Sequence, residues 1–211
     1  HIKQVEHITE HFTPMFQDPL SYGGRDLVFL PFFHYFMAIF NLVLPLFLVT
    51  KLIPNILIAT LPILAYFIGK QISRNETAAL FSAFTTGFLP ILFSTNSFTP
   101  ATLFLPLVFF NIYAFLNVKN SNIKENRKYL LLYITSFLIL SFTSFATFLL
   151  LMGFVIYLIL SLLEGKRINK IDLELILFSL FFFVWTQFVF FKNVLIKEGI
   201  TFVWQNIPAA I

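Results

Sequence analysis

The chain has 211 residues, of which 58% are hydrophobic and 11% charged, with a net charge of +4 and no cysteine. Soluble domains are about one quarter charged, so this composition excludes an ordinary water-facing surface. The lack of cysteine excludes disulfides, thiolate metal sites and cysteine nucleophiles. The basic residues stand in short loops between apolar blocks, where they orient a protein in a membrane, and we expect a lipid bilayer and no nucleic acid as partner.

Residues 1–27 form the only sizeable polar region. Within it Ile2, Val5, Ile8 and Phe12 recur at helical spacing between polar residues. This pattern predicts a short amphipathic juxtamembrane helix that lies on the membrane surface. Prolines and glycines then predict turns before the first apolar block.

Residues 28–211 form seven apolar blocks: Val28 to Thr50, Leu52 to Gly69, Thr77 to Thr95, Phe98 to Val118, Tyr129 to Ser144, Phe145 to Leu163, and Leu173 to Phe191. A bilayer core takes roughly 20 apolar residues to cross as a helix. The fifth and sixth blocks are contiguous and need a turn, which we place at Thr143, Ser144 and Thr147. The prediction is an all-α polytopic transmembrane helix bundle with six or seven spans, located in the cell membrane.

Orientation follows from three basic loops, which contain Lys70 and Arg74; Lys119, Lys124, Arg127 and Lys128; and Lys166, Arg167 and Lys170. They alternate with uncharged turns, so the positive-inside tendency makes the basic loops cytoplasmic. If the first two blocks both cross, the N-terminal region is cytoplasmic too. If instead Pro45 and Pro54 bracket a turn at Lys51 and one block is re-entrant or interfacial, that region lies outside.

One short motif matches a metal-site signature. His7, Glu10 and His11 fit H-x-x-E-H, in which two imidazoles on one helix face bind zinc and the glutamate acts as base. Such a site needs a further ligand, and Glu76, the available candidate, falls in a different loop. Five-residue patterns of common polar residues recur by chance. We therefore favour a surface helix with incidental histidines and assign no metal ligands.

Two polar residues near the apolar blocks are candidates for ligand contact. His34 lies inside the opening of the first block, where an ionisable group is costly enough to suggest a function, although it can also simply reach the headgroups. Asn96 precedes the helix expected to begin near Pro100. Capping of that helix is the simpler role for Asn96, and a ligand contact is the alternative.

The N-terminal third resembles a known family. Asp18 to Arg25 reads D-P-L-S-Y-G-G-R, and Phe29 to Tyr35 reads F-L-P-F-F-H-Y. Together they resemble the segment after the first transmembrane helix of GT-C type membrane glycosyltransferases, such as the oligosaccharyltransferase catalytic subunit and protein mannosyltransferases. The stretch from His1 to Phe12 looks like their juxtamembrane helix. The turn from Asn96 to Pro100 is similar in placement to a polar turn that faces their active site.

The resemblance implies transfer of a sugar from a polyprenyl-phosphate or lipid-linked carrier to an acceptor at the outer membrane face. A carboxylate there acts as base or holds a divalent metal ion, the one cofactor that the resemblance suggests. Arg25 and His34 suit phosphate contacts, with Asn96 as a further substrate-binding candidate. This reading also favours an outer N-terminal region.

In the family the key acid follows a first transmembrane helix closely, and this chain begins after that point. We therefore expect a trimmed piece, incomplete at both ends, with the main catalytic aspartate upstream. Glu6 and Asp18 are the best catalytic acids within it. A multi-pass transporter or lipid flippase is the alternative, although it usually needs ionisable groups near the midplane, whereas the charges from Leu52 to Phe191 lie in loops or at block ends.

Overall fold

A computed structural model describes residues 1–18, 25–27, 29–88, 97–120, 123–165 and 170–198. Within them the helices are α1 (Ile2–His11), α2 (Phe32–Asn41), α3 (Leu46–Ser73), α4 (Glu76–Gly87), α5 (Pro100–Asn120), α6 (Ile123–Thr143), α7 (Thr147–Leu163) and α8 (Lys170–Glu198). A two-residue antiparallel pair, β1 (Gln17–Asp18) and β2 (Arg25–Asp26), lies between α1 and α2. The all-α prediction is confirmed.

Three described helices are long and apolar enough to cross a membrane: α3, α5 over Pro100–Val118, and α8 over Lys170–Lys192. The apolar helix α7 is shorter, with 17 residues. Apolar helices of this kind suit a lipid bilayer. The number of six or seven crossings stays a prediction.

The first predicted block is not one helix, and the predicted turn at Lys51 is wrong. The chain leaves α2 after Asn41 and starts α3 at Leu46, because Pro45 adopts an extended backbone (φ −58°, ψ 141°) and disfavours helix in the residue before it. From there α3 runs unbroken for 28 residues through Pro54. Beside that proline, Asn55 donates a hydrogen bond to the Lys51 carbonyl at 2.6 Å, which helps to satisfy backbone that the proline disturbs.

The predicted turn between the fifth and sixth blocks is confirmed, since α6 ends at Thr143 and α7 begins at Thr147. The Thr147 hydroxyl donates to the Leu140 carbonyl at 2.9 Å and to the Ser144 carbonyl at 2.8 Å. Carbonyls at the end of a helix lack partners within it. The threonine side chain therefore stabilises the reversal of the chain at this point.

Buried side chains form two clusters. The bundle core joins α5, α6, α7 and α8 through Ala114, Phe115, Val118, Tyr133, Phe137, Leu140, Leu150, Leu151, Phe154, Leu175 and Ile176. The N-terminal cluster joins α1 and α2 to the beginnings of α3 and α5 through Val5, Ile8, Phe33, Met37, Ala38, Val49, Ile53 and Leu103. Leu107 packs against both. The N-terminal elements are thus seated on one end of the longer helices.

Candidate functional site

Helix α1 is held on α2 by apolar packing and by side-chain hydrogen bonds. Val5 and Ile8 are buried in the N-terminal cluster, while Ile2 and Phe12 are 47% and 70% exposed. Asn41 Nδ2 donates to Thr9 Oγ1 at 3.1 Å. Half of the predicted apolar stripe therefore packs against the protein, and the other half remains available to its surroundings.

The segment after α1 is folded back by Gln4. Its amide Nε2 donates to the Met15 carbonyl at 2.7 Å, and its Oε1 accepts from the Met15 N–H at 3.0 Å. The Gln4 amide thus makes the two backbone hydrogen bonds to Met15 that a neighbouring strand would make in a sheet. Because Gln4 is buried, both polar ends of its amide need these partners. Sequence reasoning missed this residue, and its one signal is its position beside the buried Val5.

The strand pair brings two predicted site residues opposite each other. The register pairs Asp18 with Arg25 and Gln17 with Asp26. The Leu27 N–H extends the pairing by donating to the Phe16 carbonyl at 2.7 Å. The backbone therefore places the predicted acid Asp18 and the predicted phosphate ligand Arg25 as neighbours across a short hairpin neck.

His34 is linked to this hairpin through Phe29, whose ring stacks on that of Phe16 beside β1. It is 1% exposed, and its ring lies 4.9 Å from that of Phe29 and 5.4 Å from that of Phe33. Its Nε2 is 2.9 Å from Nδ1 of His1, so one of the two rings donates a hydrogen bond to the other. Its Nδ1 is buried and has no hydrogen-bond partner within the described residues. The ring is thus enclosed by the protein and does not reach outward, and a role for His34 in function stays a prediction.

Burial lowers the pKa of His34 to about 4. The imidazole is therefore neutral at pH 7, because the apolar ring environment disfavours the charged form. A neutral imidazole can donate or accept a hydrogen bond, but it supplies no positive charge to a phosphate. Any electrostatic attraction for an anion here has to come from other residues, of which Arg25 is the predicted one.

The remaining predicted residues lie apart from this group or outside the described residues. Glu6 is exposed and follows the buried Val5 by one position, which turns it about 100° around α1 from that side chain. Asn96 falls outside the described residues. The helix expected near Pro100 does begin there, as the preference of proline for the first helical position predicts.

The H-x-x-E-H residues show no metal geometry. The rings of His7 and His11 stack with centroids 4.4 Å apart, and His11 Nδ1 lies 3.9 Å from Glu10. In the described part of the chain, no three or more His, Asp or Glu side chains are grouped to hold a metal ion. The divalent metal ion that the resemblance suggests stays a prediction.

Comparison with known proteins finds no matching family model, no matching curated protein and no matching solved structure. The assignment of the chain therefore depends on its own geometry. That geometry is a hairpin with an acid and a guanidinium residue in register, linked through Phe29 to a neutral imidazole. The hairpin lies between α1 and α2 in the chain, and these two helices pack against the beginnings of α3 and α5, which are long and apolar enough to cross a membrane.

Proposed function

We propose that the protein is a GT-C-like, multi-pass glycosyltransferase of the cell membrane that transfers a sugar from a polyprenyl-phosphate or lipid-linked donor to an acceptor at the outer face. The observation that carries this proposal is the register of Asp18 with Arg25. It juxtaposes a carboxylate residue, which can take a proton from the acceptor, and a guanidinium residue, which can bind the phosphate of the departing carrier.

The position of the hairpin supports the same chemistry. A lipid-anchored donor carries its phosphate at the bilayer surface, so a site for it has to lie at an end of the membrane-crossing helices. The hairpin is joined to α2 and the N-terminal cluster, which covers the beginnings of α3 and α5. The exposed Phe12 and Phe16 on the same segment, 70% and 49% exposed, supply apolar and aromatic surface of the kind that settles at a membrane interface.

The test is sugar transfer by the full natural protein, reconstituted in liposomes with a polyprenyl-phosphate-linked sugar. In this proposal Asp18, and not the upstream aspartate that the resemblance implies, is the base, so Asp18→Asn should lower kcat at least about 100-fold, in the range typical of general acid–base groups. Arg25→Ala removes a charged hydrogen bond to phosphate and should raise the donor KM about 10-fold to 100-fold. Glu174→Gln, an exposed carboxylate that pairs with Lys170 at 3.6 Å at the start of α8, is the matched control and should leave both constants unchanged.

Two results would contradict the proposal. Full activity of both hairpin variants would show that Asp18 and Arg25 take no part in sugar transfer. If wild-type protein transfers no sugar from any lipid-linked donor but moves labelled lipid between the leaflets of the same liposomes, the transporter or flippase alternative replaces the enzyme.

A further inference from the structure

A side-open groove runs between α5 and α7, away from the hairpin. Its volume is about 500 Å³, and its walls include Phe104, Val108, Phe115, Leu150, Gly153 and Tyr157. The two helices run side by side here, with Phe115 touching Phe154 at 4.9 Å and Tyr157 at 5.9 Å between ring centroids. Leu149 also lines the groove.

The lining is hydrocarbon and aromatic. Among the lining residues, Tyr157 alone has a polar side-chain atom, and its hydroxyl donates to the Asp172 carboxylate of α8 at 3.1 Å. Asp172 is buried, with 2% of its surface exposed, so this bond keeps both groups turned into the protein. Water in the groove would therefore meet few polar groups, and an apolar occupant is favoured.

The width of the groove selects the kind of occupant. Phe104 and Leu116 are twelve residues apart on α5, which corresponds to a length of about 18 Å. A volume of about 500 Å³ over this length gives a cross-section on the order of 30 Å². A single hydrocarbon chain can lie wholly within a groove of these dimensions, whereas a helix with its side chains, roughly 10–12 Å across, can insert only part of its surface.

We propose that this groove is a binding site for one acyl chain of a bilayer phospholipid, separate from the lipid that surrounds the protein generally. Its neighbour α5 is long and apolar enough to cross a membrane, so in the bilayer the open side of the groove faces acyl chains. Gly153 makes the groove deep, since a Cβ atom built there meets no other atom within 4 Å. The proposal does not depend on the sugar-transfer proposal.

The experiment uses the full chain in phosphatidylglycerol liposomes that contain a trace of phosphatidylglycerol with a photoactivatable diazirine near the end of one acyl chain. After irradiation, labelled peptides are mapped by mass spectrometry. Wild-type protein should be labelled chiefly on 104–116 and 149–157, and less on the exposed Leu160, Leu162 and Leu163 of the same helix. Gly153→Leu fills the groove and should reduce the groove labelling about tenfold, because it displaces several methylene groups.

Gly153→Ala is the matched control. Like Gly153→Leu, it removes the low helix propensity of glycine from α7, but it adds only one carbon, which meets no other atom within 4 Å. Labelling should therefore stay within about twofold of wild type. Equal labelling of the groove and of Leu160 to Leu163 in wild type would overturn the proposal. So would equal groove labelling in Gly153→Leu and Gly153→Ala, or cross-links that join the groove to another segment or a second copy of the chain.

Discussion

His34 is the residue at which burial and ionisation conflict most directly. Its ring is enclosed by Phe29, Phe33 and His1, and one of its nitrogens has no hydrogen-bond partner in the described part of the chain. Protonation would place a charge among aromatic rings, a cost that the backbone of Leu30 offsets only in part. The fold therefore depends on a neutral imidazole, and acid should weaken the attachment of the N-terminal elements.

The sign of the pH effect follows from the lowered pKa of His34, which is about 4 in the fold against 6.5 ordinarily. The unfolded chain binds the proton first, so stability is fully present above pH 6.5 and is lost as the pH falls towards 4. The loss at pH 4.5 is on the order of 2–3 kcal/mol. His34→Leu should remove this dependence, as measured by thermal unfolding in detergent micelles from pH 7.5 to 4.5.

His11→Ala provides the control for that measurement. His11 is an exposed histidine of the same region, and its removal leaves the buried imidazole in place. The variant should keep the acid-induced loss that wild type shows. If His34→Leu and wild type lose stability in parallel between pH 6.5 and 4.5, burial of His34 is not the cause.

At the scale of elements, α3 and α4 approach each other closely at Gly69. The Ser82 hydroxyl of α4 donates to the Ala65 carbonyl of α3 at 3.0 Å. A Cβ atom at Gly69 would collide with that hydroxyl and come within 3.2 Å of the Ala79 Cα. Gly69→Ala should therefore destabilise the protein by about 1–3 kcal/mol in spite of its gain in helix propensity.

Gly87→Ala is the matched variant for this pair of helices. Its Cβ would lie 3.6 Å from Pro62 Cγ, an ordinary contact, so unfolding in detergent should show no loss or a gain of up to about 1 kcal/mol. Adding Ser82→Ala to Gly69→Ala should recover part of the loss by removing the clashing hydroxyl. Equal stability of Gly69→Ala and Gly87→Ala would mean that the two helices separate at no cost.

Helices α6 and α8 are joined by one buried hydrogen bond. The hydroxyls of Tyr133 and Ser179 are 2.7 Å apart, and Tyr133 is the donor because Ser179 donates to the Leu175 carbonyl. A double-mutant cycle of Tyr133→Phe and Ser179→Ala should give a coupling of about 0.5–1.5 kcal/mol in reversible unfolding. Pairing Tyr133→Phe with Thr135→Ala, whose hydroxyl bonds within its own helix, should give no coupling. A coupling of zero in the first cycle would assign the bond no role in helix association.

Hydropathy predicted that these elements are helices, but not all of their ends. A helix surrounded by lipid is apolar on every side, so its ends carry a signal only where turn or capping residues occur. Turn and capping residues correctly located the turn after Thr143 and the start of α5 at Pro100. The same logic failed at Pro54, which α3 contains without ending. In the candidate site, the sequence identified Asp18 and Arg25 by their residue types. Their register depends on strand pairing, which no local sequence pattern encodes.

For the whole molecule, the structure bears on which side of the membrane the N-terminal region occupies, a question that the sequence left open. Helix α2 has ten residues, a length of about 15 Å, which is too short for a core of roughly 30 Å. Val49, near the beginning of α3, packs in the N-terminal cluster, whereas Lys70 and Arg74 lie at its far end. The 28 residues between these ends correspond to about 40 Å. The N-terminal cluster and the basic loop that contains Lys70 and Arg74 therefore lie at opposite ends of α3.

If α3 crosses the bilayer with its basic end in the cytoplasm, the N-terminal elements lie outside. The cysteine-free chain allows a direct test with single exposed cysteines. Glu10→Cys should react with a membrane-impermeant maleimide in intact cells, and Thr77→Cys at the start of α4 only after permeabilisation. Ile63→Cys, on the exposed apolar surface of α3, should react poorly in both conditions, because thiolate formation needs water. Labelling of Glu10→Cys and Thr77→Cys from the same side would contradict the crossing of α3, and labelling of Glu10→Cys only after permeabilisation would contradict an outer-face site.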